Sequence, residues 1–201
     1  IDEMLNSEEL LALESMQSRL KQLEFPRDKK TLPLVAALKN GDFNDAQEEF
    51  EKLEDQLQSD SMPDEEKESL REALGELANQ LDALSEMNEE LASALSSAGL
   101  QKSLADNLDA AKKAVEQSKT LNEEQKKKLL EMIKQQQITK QMCKQLSSSC
   151  KKCSNGQGVS EKELSKLSEL QMFKTEAELS KSQCQGAGAG MCSKPGAGNG
   201  T

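Results

Sequence analysis

Leucine and its apolar substitutes recur along this chain at intervals of three and four residues, broken by proline, glycine and serine. That spacing lays them on one stripe of an α-helix and predicts a succession of amphipathic helices. The first runs from about Asn6, a capping residue, to Leu23, with Leu10, Leu13, Met16, Leu20 and Leu23 inward, and ends at Phe25-Pro26. A short helix over Leu32–Lys39 follows, with Thr31 as cap, Pro33 in its first turn and Gly41 beyond its end. A third spans Asn44–Ser59, where Ala46, Phe50, Leu53 and Leu57 make the stripe.

The strongest pattern lies in residues 61–98. Pro63 and the acids Asp64, Glu65 and Glu66 suit a first turn. Leu70, Leu74, Leu77, Leu81, Leu84, Leu91 and Leu95 then keep a heptad rhythm, which predicts one long helix with Asn88 on its seam. A buried asparagine there would set register at a cost in stability, and the competing reading turns Asn88 out to water. Gly99-Leu100 ends that helix, and Leu104, Leu108, Ala111 and Val115 form the next stripe. Thr120-Leu121-Asn122 offers a cap with Gln125 at the third helical position. From there a helix to about Cys153 reads as heptads: Leu129, Gln136, Cys143 and Cys150 at a, and Met132, Thr139, Leu146 and Cys153 at d. After the turn Ser154–Gly158, Ser160 with Glu163 reads as a capping box and Val159 with Leu164 as a staple. That last helix runs to about Ser182, with Leu164, Leu167, Leu170, Phe173 and Ala177 inward.

Composition narrows the fold class. Ala, Glu, Lys, Leu and Arg supply 99 of 201 residues, whereas Ile, Val and Thr supply 11 and there is no Trp or Tyr. The expectation is an all-α protein of elongated antiparallel helical hairpins, coiled-coil-like, with a disordered glycine-rich tail. Its expected divisions are a three-helix section over 1–60, a long helix and return arm over 61–153, a turn and capped helix over 154–184, and the tail over 185–201. The tail holds six glycines in 17 residues.

Charge is unevenly spread. Residues 1–100 carry 25 acids and 9 bases, and residues 101–153 carry 6 acids and 12 bases. Acidic and basic helices lying side by side would neutralise each other. The basic stretch has no arginine and no aromatic, so neither forked phosphate contacts nor stacking platforms are offered and no nucleic-acid partner is expected. No apolar run is long enough to span a bilayer, so membrane insertion by this segment is not expected. The start at Ile1 suggests a piece of a longer chain, from which an anchor or targeting signal would be missing.

Gly41-Asp42-Phe43 with Ala46, Phe50 and Leu53 resembles the second half of a tetratricopeptide repeat, which implies a helical hairpin turned at the glycine. The segment Leu34–Leu100 is similar to long-helical, coiled-coil-like bacterial proteins that are themselves uncharacterised. That resemblance brings no activity with it.

Chemistry has few carriers here. Without histidine there is no histidine acid–base catalysis and no mixed zinc site. Neighbouring acids such as Glu48-Glu49 and Glu89-Glu90 diverge on a helix and make no carboxylate pair. The five cysteines are the candidate site. Cys150, Cys153, Cys184 and Cys192 are the residues from which a zinc site would have to be built, and Lys151 and Lys152 would lower thiol pKa values and favour redox chemistry. The plainer reading makes Cys143, Cys150 and Cys153 small seam residues. The odd number of cysteines points to a reducing compartment, with the bacterial cytoplasm favoured. The expected function is a protein–protein interaction or scaffold module without catalysis, cofactor or metal. A protein partner or a second copy would bind along the seam Leu70, Leu74, Leu77, Leu81, Leu84, Asn88, Leu91 and Leu95. A cysteine-based metal or thiol-redox module is the alternative.

Overall fold

The computed structural model describes residues 7–175 apart from Leu170 and Phe173. The expected cap Asn6, the inward positions Leu170, Phe173 and Ala177, the cysteines Cys184 and Cys192, and the glycine-rich tail all lie outside the described residues. The helices are α1 (Ser7–Leu20), α2 (Leu32–Asn40), α3 (Phe43–Gln58), α4 (Asp64–Ser85), α5 (Glu89–Ser97), α6 (Leu108–Gln117) and α7 (Glu123–Ser154). Single 3-10 turns cover Lys29–Thr31 and Lys102–Asp106, and residues 161–169 are helical. No strand occurs among the described residues.

Local chemistry explains most of the ends. Gly41 takes φ 67° beyond α2, so the chain can reverse into α3 and form the expected hairpin. Thr31 does not cap α2; its hydroxyl donates to the Asp28 carbonyl, and Asp28 caps the preceding 3-10 turn instead. Asn122 and Gln125 form a complete capping box at the start of α7. The Ser160 box is half formed, with both Ser160 N–H and Oγ–H donating to Glu163 Oε2.

α4 and α7 are the central antiparallel pair. Ser147 donates to the Ala78 carbonyl at 3.0 Å, so the backbones approach closely where Ala78 and Ser147 keep side chains small. Lys151 reaches Asp82, and Lys140 and Lys144 both reach Glu86, so the basic helix neutralises the acidic one at the seam edge. Helix α1 lies across α7, with Thr139 donating to the Ala12 carbonyl at 3.2 Å. The segment after Gly158 returns antiparallel to α3. Ser168 bonds Gln47, the Phe43 N–H donates to Gln171, and Lys174 donates to the carbonyls of Asn40 and Gly41. Lys174 thus places a cation on the negative end of α2.

Two hydrophobic clusters result. The larger joins α1, α2, α3, α4 and the second half of α7, with Phe43, Phe50, Met16 and Leu74 fully buried. The smaller joins α5, the 102–106 turn, α6 and the first half of α7, around Leu95, Ala111, Val115 and Ile133. The larger cluster joins helices from both sides of residue 60, and both clusters draw on α7, whose 32 residues extend about 48 Å.

The long helix expected over 61–98 is two helices. After Ser85 the N–H groups of Glu86 and Met87 fold back on Ala83 and Leu84, and α5 begins at Glu89. At the break, Arg19 and Gln136 donate to the carbonyls of Leu84 and Met87.

Candidate interaction surface

The leucine seam faces inward. Leu70, Leu74, Leu77, Leu81 and Leu84 are buried in the larger cluster, and Leu91 and Leu95 in the smaller one. They are core residues of one chain, so the seam is not the open binding surface expected of it. Asn88 sits on neither core. It occupies the N-cap position of α5 without capping it, is half-buried, and donates through Nδ2 to Asp106 Oδ1 at 2.8 Å. The heptad register carries on across a helix break and so misplaces this residue.

The cysteines of α7 are packing residues. Cys143, Cys150 and Cys153 are free thiols, at most 1% exposed, in the larger cluster. Burial pushes Cys143 up to about 11 and Cys153 up to about 12, and raises Cys150 further. The expected lowering by Lys151 and Lys152 does not operate, because those ammonium groups pair with Asp82 and Glu163. Among the described residues no cluster of cysteine, aspartate and glutamate is arranged to hold a metal ion.

A buried polar node is the feature that sequence reasoning missed. Arg19 is 9% exposed and bridges three elements. Its Nη1 donates to the Leu84 carbonyl at 3.0 Å and its Nη2 to Gln136 Oε1 at 2.5 Å, while Gln136 Nε2 donates to the Met87 carbonyl. Burial lowers the Arg19 pKa, but these acceptors satisfy the charged form. Gln136 at an a position was a visible signal, as was an arginine between Met16 and Leu20 on the inner stripe. Their pairing across the chain was not.

The under-covered apolar surface lies at the smaller cluster. Among the described residues, the larger cluster has 25 buried members with three partly buried neighbours. The smaller has nine, with seven partly buried, including Leu100, Leu104, Leu108, Leu130 and Met132. Between α6 and α7 a groove of about 730 Å³ opens over Leu130 and Ile133, rimmed by Lys112, Lys126, Lys127 and Lys134 together with Glu116, Glu123 and Glu131. Glu123 pairs with Lys126 and Glu131 with Lys127, all within α7. Residues 108–134 carry seven lysines against five acids in a chain of net charge −10. Unlike Lys140, Lys144 and Lys151, which meet Glu86 and Asp82, four of these lysines, Lys112, Lys126, Lys127 and Lys134, line an open groove.

No helix among the described residues is long and apolar enough to cross a membrane. No protein-family model matches the chain, and no curated protein and no solved structure is significantly similar to it.

Proposed function

We propose that this chain is a protein–protein interaction module with no chemistry of its own, and that the groove between α6 and α7 receives an acidic amphipathic helix. The supporting observation is the coincidence of an apolar floor, Leu130 and Ile133, with a rim of four lysines and three glutamates on the cluster that has the larger share of partly covered hydrophobic residues. An apolar stripe would fill the groove in the manner of a helix laid along a helical pair, and flanking acids would meet the lysines. The burial and raised pKa values of Cys143, Cys150 and Cys153 argue against thiol chemistry as the activity.

The test uses labelled helical peptides with a leucine stripe flanked by glutamate, or by lysine in the control, followed by fluorescence anisotropy. The acidic peptide is expected to bind with a Kd on the order of micromolar, the basic one at least about tenfold more weakly. Binding should weaken with salt and be lost in Leu130→Asp. Sedimentation of the same two proteins shows whether a second copy is the occupant, since a dimer abolished by Leu130→Asp would assign the groove to self-association. Equal binding of both peptides, or no binding with a monomer indifferent to Leu130→Asp, would overturn the proposal.

A further inference from the structure

We propose that residues 85–88 form a two-state hinge, held bent by Arg19 and Gln136, whose other state is a single unbroken helix over residues 64–97. Helix interruptions ordinarily have a local cause such as proline, a glycine–serine pair or an inserted group. Ser85, Glu86, Met87 and Asn88 include no proline or glycine, and Glu and Met favour helix. The spacing Leu81, Leu84, Asn88, Leu91 and Leu95 passes through the break without a slip. Glu86, at φ −90° and ψ −2°, stays near helical geometry, and Asn88, at φ −142° and ψ 16°, departs from it.

The hydrogen bonds show what holds the bend. In an unbroken helix the Leu84 carbonyl would accept the Asn88 N–H, and the Met87 carbonyl the Leu91 N–H. In the bent form the Leu84 carbonyl accepts from Arg19 and from the Met87 N–H, and the Met87 carbonyl accepts from Gln136. Gln136 stands in for the missing backbone donor at Met87, and Arg19 joins the Met87 N–H at Leu84, so either arrangement satisfies these acceptors. The antiparallel register, set by Ser147 on Ala78 and Lys140 on Glu86, puts position 88 of an unbroken helix level with the Gln136–Ile138 turn of α7. Asn88 would then meet Gln136 inside the seam, the arrangement its heptad position encodes. The two hydrophobic clusters lie on opposite sides of the hinge. Straightening would carry α5 off the 102–106 turn, against which it packs, and uncover Ala105.

The two states differ at Asn88, whose N–H would bond the Leu84 carbonyl only in the straight form, and at the three amides that follow it. In the bent form Glu89, Glu90 and Leu91 form the first turn of α5, and the first bond across the junction runs from Ala92 N–H to the Asn88 carbonyl. In the straight form those amides would bond the carbonyls of Ser85, Glu86 and Met87. Hydrogen exchange followed by NMR on the full chain reads this directly, in Arg19→Met/Gln136→Leu, which removes both side-chain donors, and in Asn88→Leu, which makes the seam position apolar. Both variants should slow exchange at Glu89, Glu90 and Leu91 by at least about tenfold while Leu74 and Leu77 keep their protection. Fast exchange at the three amides in a folded variant would overturn the hinge. Loss of protection at Ala94 and Leu95 would do the same, since it would mean that the node merely pins α5. Should the double variant fail to fold, Asn88→Leu decides alone, because it leaves Arg19 and Gln136 in place.

Discussion

Four of the buried polar side chains among the described residues stand where one helix meets the backbone of another. Arg19 and Gln136 serve the carbonyls at the α4–α5 junction, Thr139 serves Ala12, and Ser147 serves Ala78. Ala12 and Ala78 lie inside their helices and Leu84 accepts the Met87 N–H, so Thr139, Ser147 and Arg19 add a second donor. The Met87 carbonyl takes its donor from Gln136, and leaving such a group unpaired typically costs about 1–3 kcal/mol. The cysteines of α7 play the opposite part, filling space where a larger residue would clash. Because burial raises their pKa values, with Cys143 at about 11, the thiolate fraction at pH 8 is on the order of a thousandth even before access is considered. Cys143, Cys150 and Cys153 should therefore react with a thiol reagent only on unfolding, and each replacement by Ala should cost about 1 kcal/mol in urea melts. Rapid labelling of all five thiols in the native protein would contradict this.

At the scale of elements, the α4–α7 pair is held by an apolar seam with ion pairs along its edge. Lys151, donating to Asp82, holds that carboxyl below its usual range, and Lys140, followed by Lys144, does so for Glu86, both against partial desolvation. Carboxylates depressed in the folded state bind protons more tightly when unfolded. Their contribution is thus complete above the ordinary carboxylate pKa of about 4 and is lost as pH falls through the lower folded values. Both side chains are substantially exposed, so each pair contributes about 0.5 kcal/mol or less. Urea midpoints should stay level from neutral pH to about 5 and drop below about 4. Asp82→Asn/Glu86→Gln should show a shallower drop than the wild type, and an identical slope in the two proteins would show that these pairs are not linked to folding.

For the whole molecule, the division into a thick and a thin cluster sets the order in which it opens. The larger cluster buries Phe43, Phe50 and two facing rows of leucines, whereas the smaller rests on short helices with many half-covered side chains. Local unfolding follows buried apolar contact. Amides of Leu95, Ala111 and Val115 should exchange at least about tenfold faster than those of Leu77 and Leu81. Uniform protection across the chain would mean that the two clusters unfold as one unit.

Much of the fold was legible in the residues because it depends on neighbours three and four positions apart. The helical class, the turn at Gly41, the Asn122–Gln125 cap, and the burial of Leu129, Gln136, Cys143 and Cys150 on one face of α7 all follow from such spacing. The break at 85–88 does not, because the heptad spacing runs through it and the side chains bonded to its carbonyls, Arg19 and Gln136, are 117 positions apart. Nor does the fate of the leucine seam. A heptad pattern states that a face must be covered, and the same stripe would serve a partner or the chain's own helix equally well. Only the tertiary structure decided that α7 covers it, and that the less protected apolar surface lies between α6 and α7.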